Sequence, residues 1–448
     1  MSETPEPWFA EPAPKAGPPG RTAYRNARLL DPASGLDAPG ALFTIGRKIA
    51  DLGPGLFADG VPEGVATVDC GGLCLAPGLV DMHVHLREPG HEHKETLATG
   101  SRAAAAGGVT TMAAMPNTEP VIDDVALVQF IERRARETAI VRIYPIAAVT
   151  RGLGGRELTE IGLLHEAGAV AFSDDGLPVA DALVMRRALA YATAFDALII
   201  QHAEDPALSA GGCMNEGETA TRLGLPGIPN ASETVIVERD LRLVALTGGR
   251  YHVAHISAAE AVAAVRRAKA RGLPVTAEAT PHHFALDETA VGDYRTFAKM
   301  APPLRDQASR EAVIAGLVDG TIDAIATDHA PHDQDIKRLP FVHAANGVVG
   351  LETLLPVALE LYHAGTLSLL EVLGKMTVAP AALLGLDVGT LAKGAPADLV
   401  LFDPEREWTV DADRLHSKSK NSAFDGRRVR GRAVRTVVGG RTVYRLEG

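Results

Sequence analysis

The sequence predicts an α/β fold, with a (β/α)8 TIM-like barrel and a small β-sandwich domain built from both chain ends. Short apolar runs alternate with alanine-rich or amphipathic helical stretches through the middle of the 448-residue chain. Short apolar segments broken by Gly, Pro and Asp dominate both ends, a pattern typical of β-structure. We therefore expect the middle to form the barrel and the two ends to pair with each other.

The middle of the chain contains eight apolar runs of strand length, with helical stretches between most of them. Strands that alternate with helices form parallel sheets, and eight is the number that closes a TIM barrel. The predicted strands are residues 75–83, 109–115, 141–149, 169–173, 198–202, 251–255, 275–280 and 322–328. The clearest predicted helices are residues 95–107, 181–195, 258–271 and 310–319.

These patterns divide the chain into three regions. Residues 1–20 are rich in proline and lack a periodic apolar pattern, so we expect a flexible tail. Residues 21–72 and 392–448 are expected to form the composite β-sandwich domain. Residues 73–391 are expected to form the barrel, which would carry the active site.

The composition describes an ordinary globular protein, with 46% hydrophobic and 22% charged residues. The formal net charge of −12 argues against a nucleic-acid binder, because contact with phosphates requires a positive surface. Arginines alternate within the segment 427–435, which favours the solvent face of a strand over a polyanion site. We therefore expect a small-molecule substrate.

The cysteines and the hydropathy of the chain indicate its compartment. Cys70, Cys74 and Cys213 do not make a disulfide framework and fit a reducing environment. No apolar run approaches the length that spans a bilayer, and the N-terminus lacks the pattern of a secretion signal. The sequence predicts a cytoplasmic protein that is not associated with a membrane.

The segment Asp81-Met-His83-Val-His85-Leu-Arg87 follows an apolar run with the length of a buried strand. Residues two apart on a strand point to the same side, so His83 and His85 present two imidazoles to one point. Imidazole is the commonest metal-binding side chain at neutral pH. The alternative is one buried structural histidine beside one surface histidine, because so short a motif also recurs by chance.

Histidines and carboxylates stand at the C-terminal ends of six of the eight predicted strands, where the catalytic groups of a TIM barrel lie. They follow apolar runs directly, unlike the residues of a solvated face. Such a donor set is typical of a hydrolytic site with one or two metals, and Zn²⁺ is the expected ion. The residues are His83, His85, Asp174, Asp175, His202, Glu204, Asp205, His252, His255, His282, His283, Asp328, His329 and His332, with Asn117 after the second strand.

An ordered series of motifs covers nearly the whole chain, from about Asn26 to Tyr444. The motifs are Asp81-Met-His83-Val-His85-Leu-Arg87-Glu-Pro-Gly, Ala106-Gly-Gly-Val-Thr-Thr, Met115-Pro-Asn117-Thr, Ala171-Phe-Ser-Asp-Asp175-Gly, Asn215-Glu-Gly, Leu223-Gly-Leu-Pro-Gly-Ile-Pro, Asp328-His-Ala-Pro-His332 and Gly350-Leu-Glu-Thr. In this arrangement the chain resembles the amidohydrolase superfamily and, within it, the class I dihydroorotases.

The resemblance implies a metal site, a catalytic residue and a set of substrate contacts. The implied metal ligands are His83, His85, Asp175, His202, His255 and Asp328, and Asp328 is also the implied catalytic base and acid. The implied substrate contacts are His85, Arg87, Asn117, Ala301, His332, Asn346 and Gly347. The implied cofactor is Zn²⁺, one or two ions per subunit.

The residue type that bridges the two metals distinguishes the subfamilies of these amidohydrolases. Hydantoinase-like and allantoinase-like relatives use a carboxylated lysine after the fourth strand, whereas this chain has no lysine between Lys94 and Lys269. A native carboxylate must fill that role, and strand alternation alone leaves both Asp174 and Asp175 open. The resemblance selects Asp175, because class I dihydroorotases use aspartate at that position.

The reaction that the resemblance implies is the reversible cyclisation of N-carbamoyl-L-aspartate to L-dihydroorotate in de novo pyrimidine biosynthesis. In the hydrolytic direction, a metal-activated hydroxide attacks the ring amide carbonyl and Asp328 transfers the proton to the leaving nitrogen. A guanidinium forks onto a carboxylate, so Arg87 is expected to hold the substrate carboxylate together with Asn117 and His332.

Two departures from the family pattern keep other functions open. Ala301 stands where many class I relatives have Asn, and Asn346-Gly347 stands where Phe-Gly is common. One alternative is a cyclic amidohydrolase acting on allantoin, hydantoin or a similar ureide. The other is a scaffold subunit for aspartate transcarbamoylase, which the filled metal-ligand positions oppose. A homodimer is expected, and an active enzyme can also form a complex with the transcarbamoylase.

Two further expectations concern the rim of the barrel. His252, His282, His283 and His329 are expected to orient ligands or loops rather than to bind metal. The charged segment 333–340 lacks core periodicity, so we expect a mobile lid that excludes water during ring closure.

Overall fold

The computed structural model describes residues 20–447, so the predicted tail, apart from Gly20, lies outside the described residues. Strands and helices alternate through most of this range. The strands are β1 (Arg21–Asp31), β2 (Leu36–Ile45), β3 (Lys48–Gly53), β4 (Ala66–Asp69), β5 (Cys74–Pro77), β6 (Leu79–Val84), β7 (Val109–Ala114), β8 (Arg142–Pro145), β9 (Phe172–Ser173), β10 (Ile199–Gln201), β11 (Met214–Asn215), β12 (Gly227–Ile228), β13 (Tyr251–Val253), β14 (Val275–Ala279), β15 (Ala324–Ile325), β16 (Leu399–Thr409), β17 (Arg428–Val438) and β18 (Arg441–Arg445).

The helices lie mostly between the central strands. They are α1 (Leu97–Gly107), α2 (Val125–Thr138), α3 (Ile161–Glu166), α4 (Ala182–Ala192), α5 (Pro206–Ser209), α6 (Glu218–Leu223), α7 (Ala231–Thr247), α8 (Ala259–Ala270), α9 (Pro281–Ala285), α10 (Gln307–Val318), α11 (Gln334–Lys337), α12 (Leu354–His363), α13 (Leu369–Gly374) and α14 (Val378–Leu383). Within residues 20–447, none of the helices has the length and apolar character needed to cross a bilayer.

Side-chain caps fix where several helices begin. Asp124, Asp181 and Asp306 accept hydrogen bonds from backbone N–H groups in the first turns of α2, α4 and α10. Thr96 and Thr99 form a capping box at the start of α1. The four predicted helices are confirmed as α1, α4, α8 and α10, with ends within three residues of the predicted positions.

Strands from both chain ends share one eight-stranded sheet, in the order β18-β17-β16-β5-β1-β2-β3, with β4 paired to β1. The two ends meet at β5, which pairs in parallel with β1 and antiparallel with β16. Residues from both chain ends therefore belong to one sheet, and the division of the chain into domains stays a prediction.

Alternating residues of this sheet belong to two different cores, as the period of two in a strand requires. Leu29 of β1 and Leu399 of β16 lie in a small core confined to the sheet and its neighbouring loops. The next residues along the chain, Leu30 and Val400, pack into the large core that also contains the central helices. One face of the sheet therefore rests against the rest of the protein.

The central strands pair in parallel as two sheets, β6-β7-β8 and β15-β14-β13-β10-β9. Two isolated parallel bridges link these sheets. Ala147, just after β8, pairs with Phe172 of β9, and His329, just after β15, pairs with Val84 of β6. Each predicted central strand overlaps an observed one, so the mixed α/β architecture of the middle is confirmed.

Most of the observed central strands are shorter than predicted, at one end or at both. Of the predicted strand 322–328, only Ala324–Ile325 pairs with a neighbouring strand. From Thr327 onward the residues form hydrogen bonds outside this sheet. Thr327 donates from its backbone N to Asp81 Oδ1 at 3.1 Å and from Oγ1 to Oδ2 at 2.6 Å. Asp328 follows with φ +46°, which no strand adopts. The strand ends are where functional side chains leave the ladder.

A buried ion pair joins the central strands to the end sheet. Arg142 of β8 donates to Asp398, just before β16, from Nε at 2.6 Å and from Nη2 at 3.2 Å. Both side chains are buried, with 6% and 4% of their surface exposed. Removing one partner of such a pair leaves a buried charge uncompensated.

We expect Asp398→Asn to lower the free energy of unfolding by about 3 kcal/mol because the Arg142 guanidinium stays buried. Urea unfolding followed by circular dichroism measures it. The matched control is Asp37→Asn, which breaks the exposed Arg28–Asp37 pair and should cost less than about 1 kcal/mol. Equal losses in the two variants would contradict a stabilising role for the buried Arg142–Asp398 ion pair.

Candidate active site

His83 at the end of β6 and His85 just beyond it point to the same carboxylate. His83 Nε2 lies 3.4 Å from Asp175 Oδ1, and His85 Nε2 lies 3.3 Å from Asp175 Oδ2. Both imidazoles are buried, with 0% and 4% of the residue exposed. The expected spacing of two histidines on one strand therefore brings both rings to one point, and the alternative of one surface histidine is wrong.

His202 and His255 follow β10 and β13 and complete a ring of imidazoles around Asp175. His255 Nε2 lies 3.4 Å and His202 Nδ1 lies 3.7 Å from Asp175 Oδ1, and these two nitrogens are 2.9 Å apart. Asp175 Oδ1 thus faces His83, His202 and His255, while Oδ2 faces His85. Two groups of close donor atoms share this carboxylate: His83–His85–Asp175 and Asp175–His202–His255.

Asp328 lies beside the first of these groups. Its Oδ1 is 3.0 Å from His85 Nε2 and 3.6 Å from His83 Nε2. Asp328, His255 and Arg87 have positive φ angles of 46°, 33° and 61°, a conformation that side chains other than glycine rarely adopt. Strained backbone at three neighbouring site residues is typical of a functional centre.

Asp174 points away from the imidazoles. Its carboxylate accepts hydrogen bonds from the backbone N and the hydroxyl of Thr150, the former at 2.9 Å. Burial raises the pKa of Asp174 to about 6, although the bonds from Thr150 oppose the shift. The geometry therefore separates the two aspartates that strand alternation left open, and only Asp175 lies among the histidines.

The charges of the cluster are strongly coupled. Burial alone would raise the pKa of Asp175, but the surrounding imidazoles, His83 first, hold that pKa well below its usual range. His85 and His83 do the same to the pKa of Asp328. Burial alone would lower the pKa of His83, but the Asp175 and Glu278 carboxylates raise it well above its ordinary value. Both aspartates are therefore ionised in the physiological range.

Buried atoms without a hydrogen bond point into the cluster. His83 Nε2 and Asp175 Oδ1 have no hydrogen-bond partner among the described residues. Unsatisfied buried polar groups are costly, so a cluster of them requires a ligand. Imidazole nitrogens and carboxylate oxygens together are the donor set that Zn²⁺ binds. The residues present therefore fit a metal site.

Glu278 of β14 supports the cluster from behind, and the sequence analysis missed it. Its Oε1 accepts a hydrogen bond from His83 Nδ1 at 2.5 Å, and its Oε2 lies 3.4 Å from His252 Nε2. A carboxylate on the second ring nitrogen fixes the tautomer and orientation of a metal-binding histidine. The available signal was a lone carboxylate in the apolar run Val275-Thr-Ala-Glu278-Ala.

Two of the other rim histidines, His283 and His329, contact loops. His283 Nε2 donates to the Pro302 carbonyl at 3.0 Å. His329 accepts from the Gly350 N–H at 3.1 Å and lies 3.4 Å from Glu95. These contacts tie the rim to loops on either side of it.

An open cavity of about 230 Å³ adjoins the cluster. Every residue that the sequence analysis expected to contact substrate lines it, and the lining also includes Gly176 and Ala330, which that analysis did not name. The expected contacts are His85, Arg87, Asn117, Ala301, His332, Asn346 and Gly347, and they share the cavity with Asp175, His202, His255 and Asp328.

Arg87 is a buried guanidinium without a carboxylate partner. Only 9% of its surface is exposed, and no acidic side chain within residues 20–447 lies at ion-pair distance from it. Its Nε donates to the Pro331 carbonyl at 3.2 Å, and its Nη2 lies 3.5 Å from His332 Nε2. Burial lowers its pKa to about 10, and burial with the Arg87 charge lowers the pKa of His332 to about 2. The cavity therefore presents an unmatched positive charge.

Asn117 lies between this charge and the histidine cluster. Its Oδ1 accepts a hydrogen bond from His85 Nδ1 at 2.8 Å, which leaves its amide NH₂ group as a donor toward the cavity that it lines. Ala301 contributes no side-chain polar atom. The donors of the cavity wall suit an anionic ligand with carbonyl and carboxylate oxygens.

Solved structures of hydrolases have this fold. L-hydantoinase from Arthrobacter aurescens matches with a TM-score of 0.84 and 27% identity, over 95% of this chain and 96% of that one. Dihydropyrimidinase from Brevibacillus agri NCHU1002 matches with a TM-score of 0.82 at 23% identity over 95% of each chain, a likeness of fold alone. The mixed α/β fold is that of hydantoinase-type amidohydrolases.

Sequence comparison defines a narrower family. A family model described as dihydro-orotase-like matches residues 72–261. The dihydroorotase of Anaplasma phagocytophilum (strain HZ) is 54% identical over 431 residues, 95% of each chain. The dihydroorotase of Pelobacter propionicus is 50% identical over 421 residues, 94% of this chain and 99% of its own. The chain belongs to the dihydroorotase family, which confirms the resemblance seen in the motifs.

We expect Arg87→Met to raise the melting temperature, because it removes a desolvated charge that no carboxylate in the cavity compensates, and the gain should be about 1 kcal/mol. Differential scanning calorimetry measures it. The control is Arg151→Met, an exposed arginine near the rim, which should leave the melting temperature unchanged. A clear loss of stability in the Arg87 variant would show that the guanidinium is structural.

Proposed function

We propose that this chain catalyses the reversible cyclisation of N-carbamoyl-L-aspartate to L-dihydroorotate, with loss of water in the forward direction. The observation that carries the proposal is the unpaired Arg87 guanidinium in the same cavity as the imidazole cluster around Asp175. A hydrolytic centre beside a carboxylate receptor fits a cyclic amide that bears a carboxylate. The names of the relatives support the same reaction.

The proposed cofactor is Zn²⁺, one or two ions per subunit, and the unsatisfied buried atoms of the cluster support a metal there. The proposed ligands are His83, His85, Asp175, His202, His255 and Asp328. The shared position of Asp175 between two donor groups favours a two-metal site that it bridges. Bound zinc lowers the pKa of water toward neutrality and polarises a carbonyl.

Asp328 is the proposed base and acid. It lines the cavity and is ionised, the form in which a carboxylate accepts a proton. In the hydrolytic direction it takes a proton from the attacking water and returns it to the ring nitrogen as the C–N bond breaks. In cyclisation it removes the proton from the attacking ureido nitrogen and delivers it to the departing water.

Arg87, Asn117 and His332 are proposed to hold the substrate carboxylate. The guanidinium offers a fork of N–H donors that matches two carboxylate oxygens. Burial and the Arg87 charge lower the pKa of His332 and keep it neutral, so His332 can donate a hydrogen bond without adding charge. Ala301, Asn346 and Gly347 are the proposed contacts of the ring, with Ala301 acting through its backbone alone.

The architecture that positions these residues is proposed to be a closed (β/α)8 barrel within residues 73–391, whose strands begin at β6 because β5 pairs with β1 and β16 of the end sheet. The two bridges at Ala147–Phe172 and Val84–His329 support closure, because they join the edges of the two parallel sheets. Residues 21–72 and 392–448 are proposed to form the β-sandwich domain, and the small core on one face of the end sheet supports it.

We also propose that the enzyme is cytoplasmic and forms a homodimer. The buried free thiols of Cys70, Cys74 and Cys213 support a reducing compartment. A complex with aspartate transcarbamoylase stays a prediction, which co-elution with that enzyme from a sizing column would test.

A hydantoinase-like activity is the second candidate, because solved structures with the same fold are hydantoinases and dihydropyrimidinases. Their named substrates lack the carboxylate that Arg87 would hold. This chain also has no lysine between Lys94 and Lys269, the part of the sequence in which those relatives carry the carboxylated lysine. A scaffold without activity is disfavoured because all proposed metal ligands converge on one cluster.

We expect zinc-supplemented protein to turn over L-dihydroorotate but not allantoin, hydantoin or dihydrouracil, with metal content measured on the same sample. Asp328→Asn should lower kcat by at least about a thousandfold, because it removes the proton acceptor and weakens the metal site. Asp205→Asn is the control: it changes a neighbouring carboxylate that caps α5, and Asn preserves that cap.

In the same assay Arg87→Met should raise the KM for dihydroorotate about a hundredfold with metal content unchanged, because the carboxylate loses its partner. Turnover of hydantoin alone, or full metal occupancy without turnover of any of these compounds, would contradict the proposed function.

A further inference from the structure

Two buried lysines lie beside the cavity without a carboxylate partner. Lys337 of α11 is 1% exposed and Lys299 is 5% exposed. Within residues 20–447, neither ammonium has an acidic side chain at ion-pair distance. Buried lysines are rare unless paired. Burial, together with the neighbouring Lys299 charge, lowers the pKa of Lys337 to about 7, so this arrangement is costly.

Backbone carbonyls surround both ammonium groups. Lys337 Nζ donates to the carbonyls of Ala345 at 2.8 Å, Gly347 at 3.1 Å and Lys299 at 3.3 Å. Its three N–H bonds therefore match three acceptors. Lys299 Nζ donates to the carbonyls of Val342 at 3.0 Å and Ala344 at 2.7 Å. The loop 342–347 is thus folded around two cations.

Asn421, from the C-terminal segment, binds the same loop from another side. Its Nδ2 donates to the carbonyls of Gly347 at 3.0 Å and Ala330 at 3.1 Å, and its Oδ1 accepts from the His332 N–H at 3.1 Å. The Gly347 carbonyl therefore receives bonds from both Lys337 and Asn421. Two segments that line the cavity, 330–332 and 346–347, are held by one amide.

Gly347 itself cannot be replaced by a larger residue without disturbing this wall. Its φ is +127°, and a Cβ would lie 2.7 Å from Ala330 Cβ. Ala301 likewise offers the cavity only its backbone and a methyl group. Where side chains contribute so little, the position of the backbone decides the shape of the ligand site.

We infer that Lys337 is a positioning residue, whose ammonium joins the Lys299–Ala301 and Ala345–Gly347 segments and so sets the backbone wall of the substrate cavity. This inference rests on the proposed function for its substrate. The hydrogen bonds from Lys337 to the two segments, which we call the clamp, do not depend on that function. Lys337 touches no reacting group and acts through Gly347 and Lys299.

The expected mobile lid over residues 333–340 stays a prediction, and these contacts anchor the segment at one residue. Lys337 lies in the middle of that segment, and its side chain is enclosed rather than facing solvent. The hydroxyl of Thr296 also donates to the Lys337 carbonyl at 2.5 Å. Core periodicity could not indicate this anchor, because the buried residue is a lysine.

The test compares Lys337→Met with Lys375→Met. Met keeps the length of the side chain but removes its donors. Lys375 is a matched control, since its Nζ donates to the Ile322 carbonyl at 2.8 Å, before β15 and outside the cavity. We expect Lys337→Met to raise the KM for dihydroorotate about tenfold or more, with kcat changed less than about threefold and metal content unchanged. Lys375→Met should leave KM unchanged.

Hydrogen exchange supplies a readout that needs no turnover. The Gly347 N–H donates to the Lys299 carbonyl at 3.0 Å, and its exchange should accelerate in Lys337→Met but not in Lys375→Met. If the wild-type protein does not turn over dihydroorotate, the proposed function fails. Hydrogen exchange at Gly347 still tests whether Lys337 holds the backbone wall. An unchanged KM with a lowered melting temperature, or unchanged exchange at Gly347, would overturn the inference. If Lys337→Met does not fold, Asn421→Ala, with the same expected rise in KM and exchange, decides it.

Discussion

The structure depends on one buried carboxylate held among four imidazoles. Asp175 lies within 3.7 Å of His83, His85, His202 and His255, and these residues come from strand ends far apart in sequence. A buried anion is stable only with positive or polar partners, and the four imidazoles supply them. The parallel arrangement of the central strands meets this requirement, since their C-terminal ends meet at one rim.

Several residues around the site have backbone conformations or environments that lower the stability of the fold. Arg87, His255 and Asp328 hold backbone conformations with positive φ, and Arg87 and Lys337 are buried cations without a carboxylate partner among residues 20–447. The C-terminal segment compensates in part: Ser417 donates to Glu95, which lies beside His329, and Asn421 holds the cavity loops. The end sheet and its flanking segment therefore support the site directly, in addition to packing against the central strands.

Sequence patterns predicted the parts of the site that follow from local geometry. The spacing of His83 and His85 predicts two rings on one side of a strand, and the strand ends predict where the remaining donors converge. Strand alternation could not choose between Asp174 and Asp175, because the backbone bends there and Thr150, 24 residues earlier, binds Asp174. Lys337 and Asn421 gave no signal, since their partners are backbone carbonyls whose positions only the folded chain defines.

The most direct test of the central claim is anomalous diffraction at the zinc edge from crystals grown with zinc. We predict zinc within coordination distance of the Asp175 carboxylate, among the histidines that surround it. His83 and His85 would hold one ion, and His202 and His255 would hold a second ion where two are bound. Zinc bound elsewhere, or no peak within coordination distance of Asp175, would contradict the account.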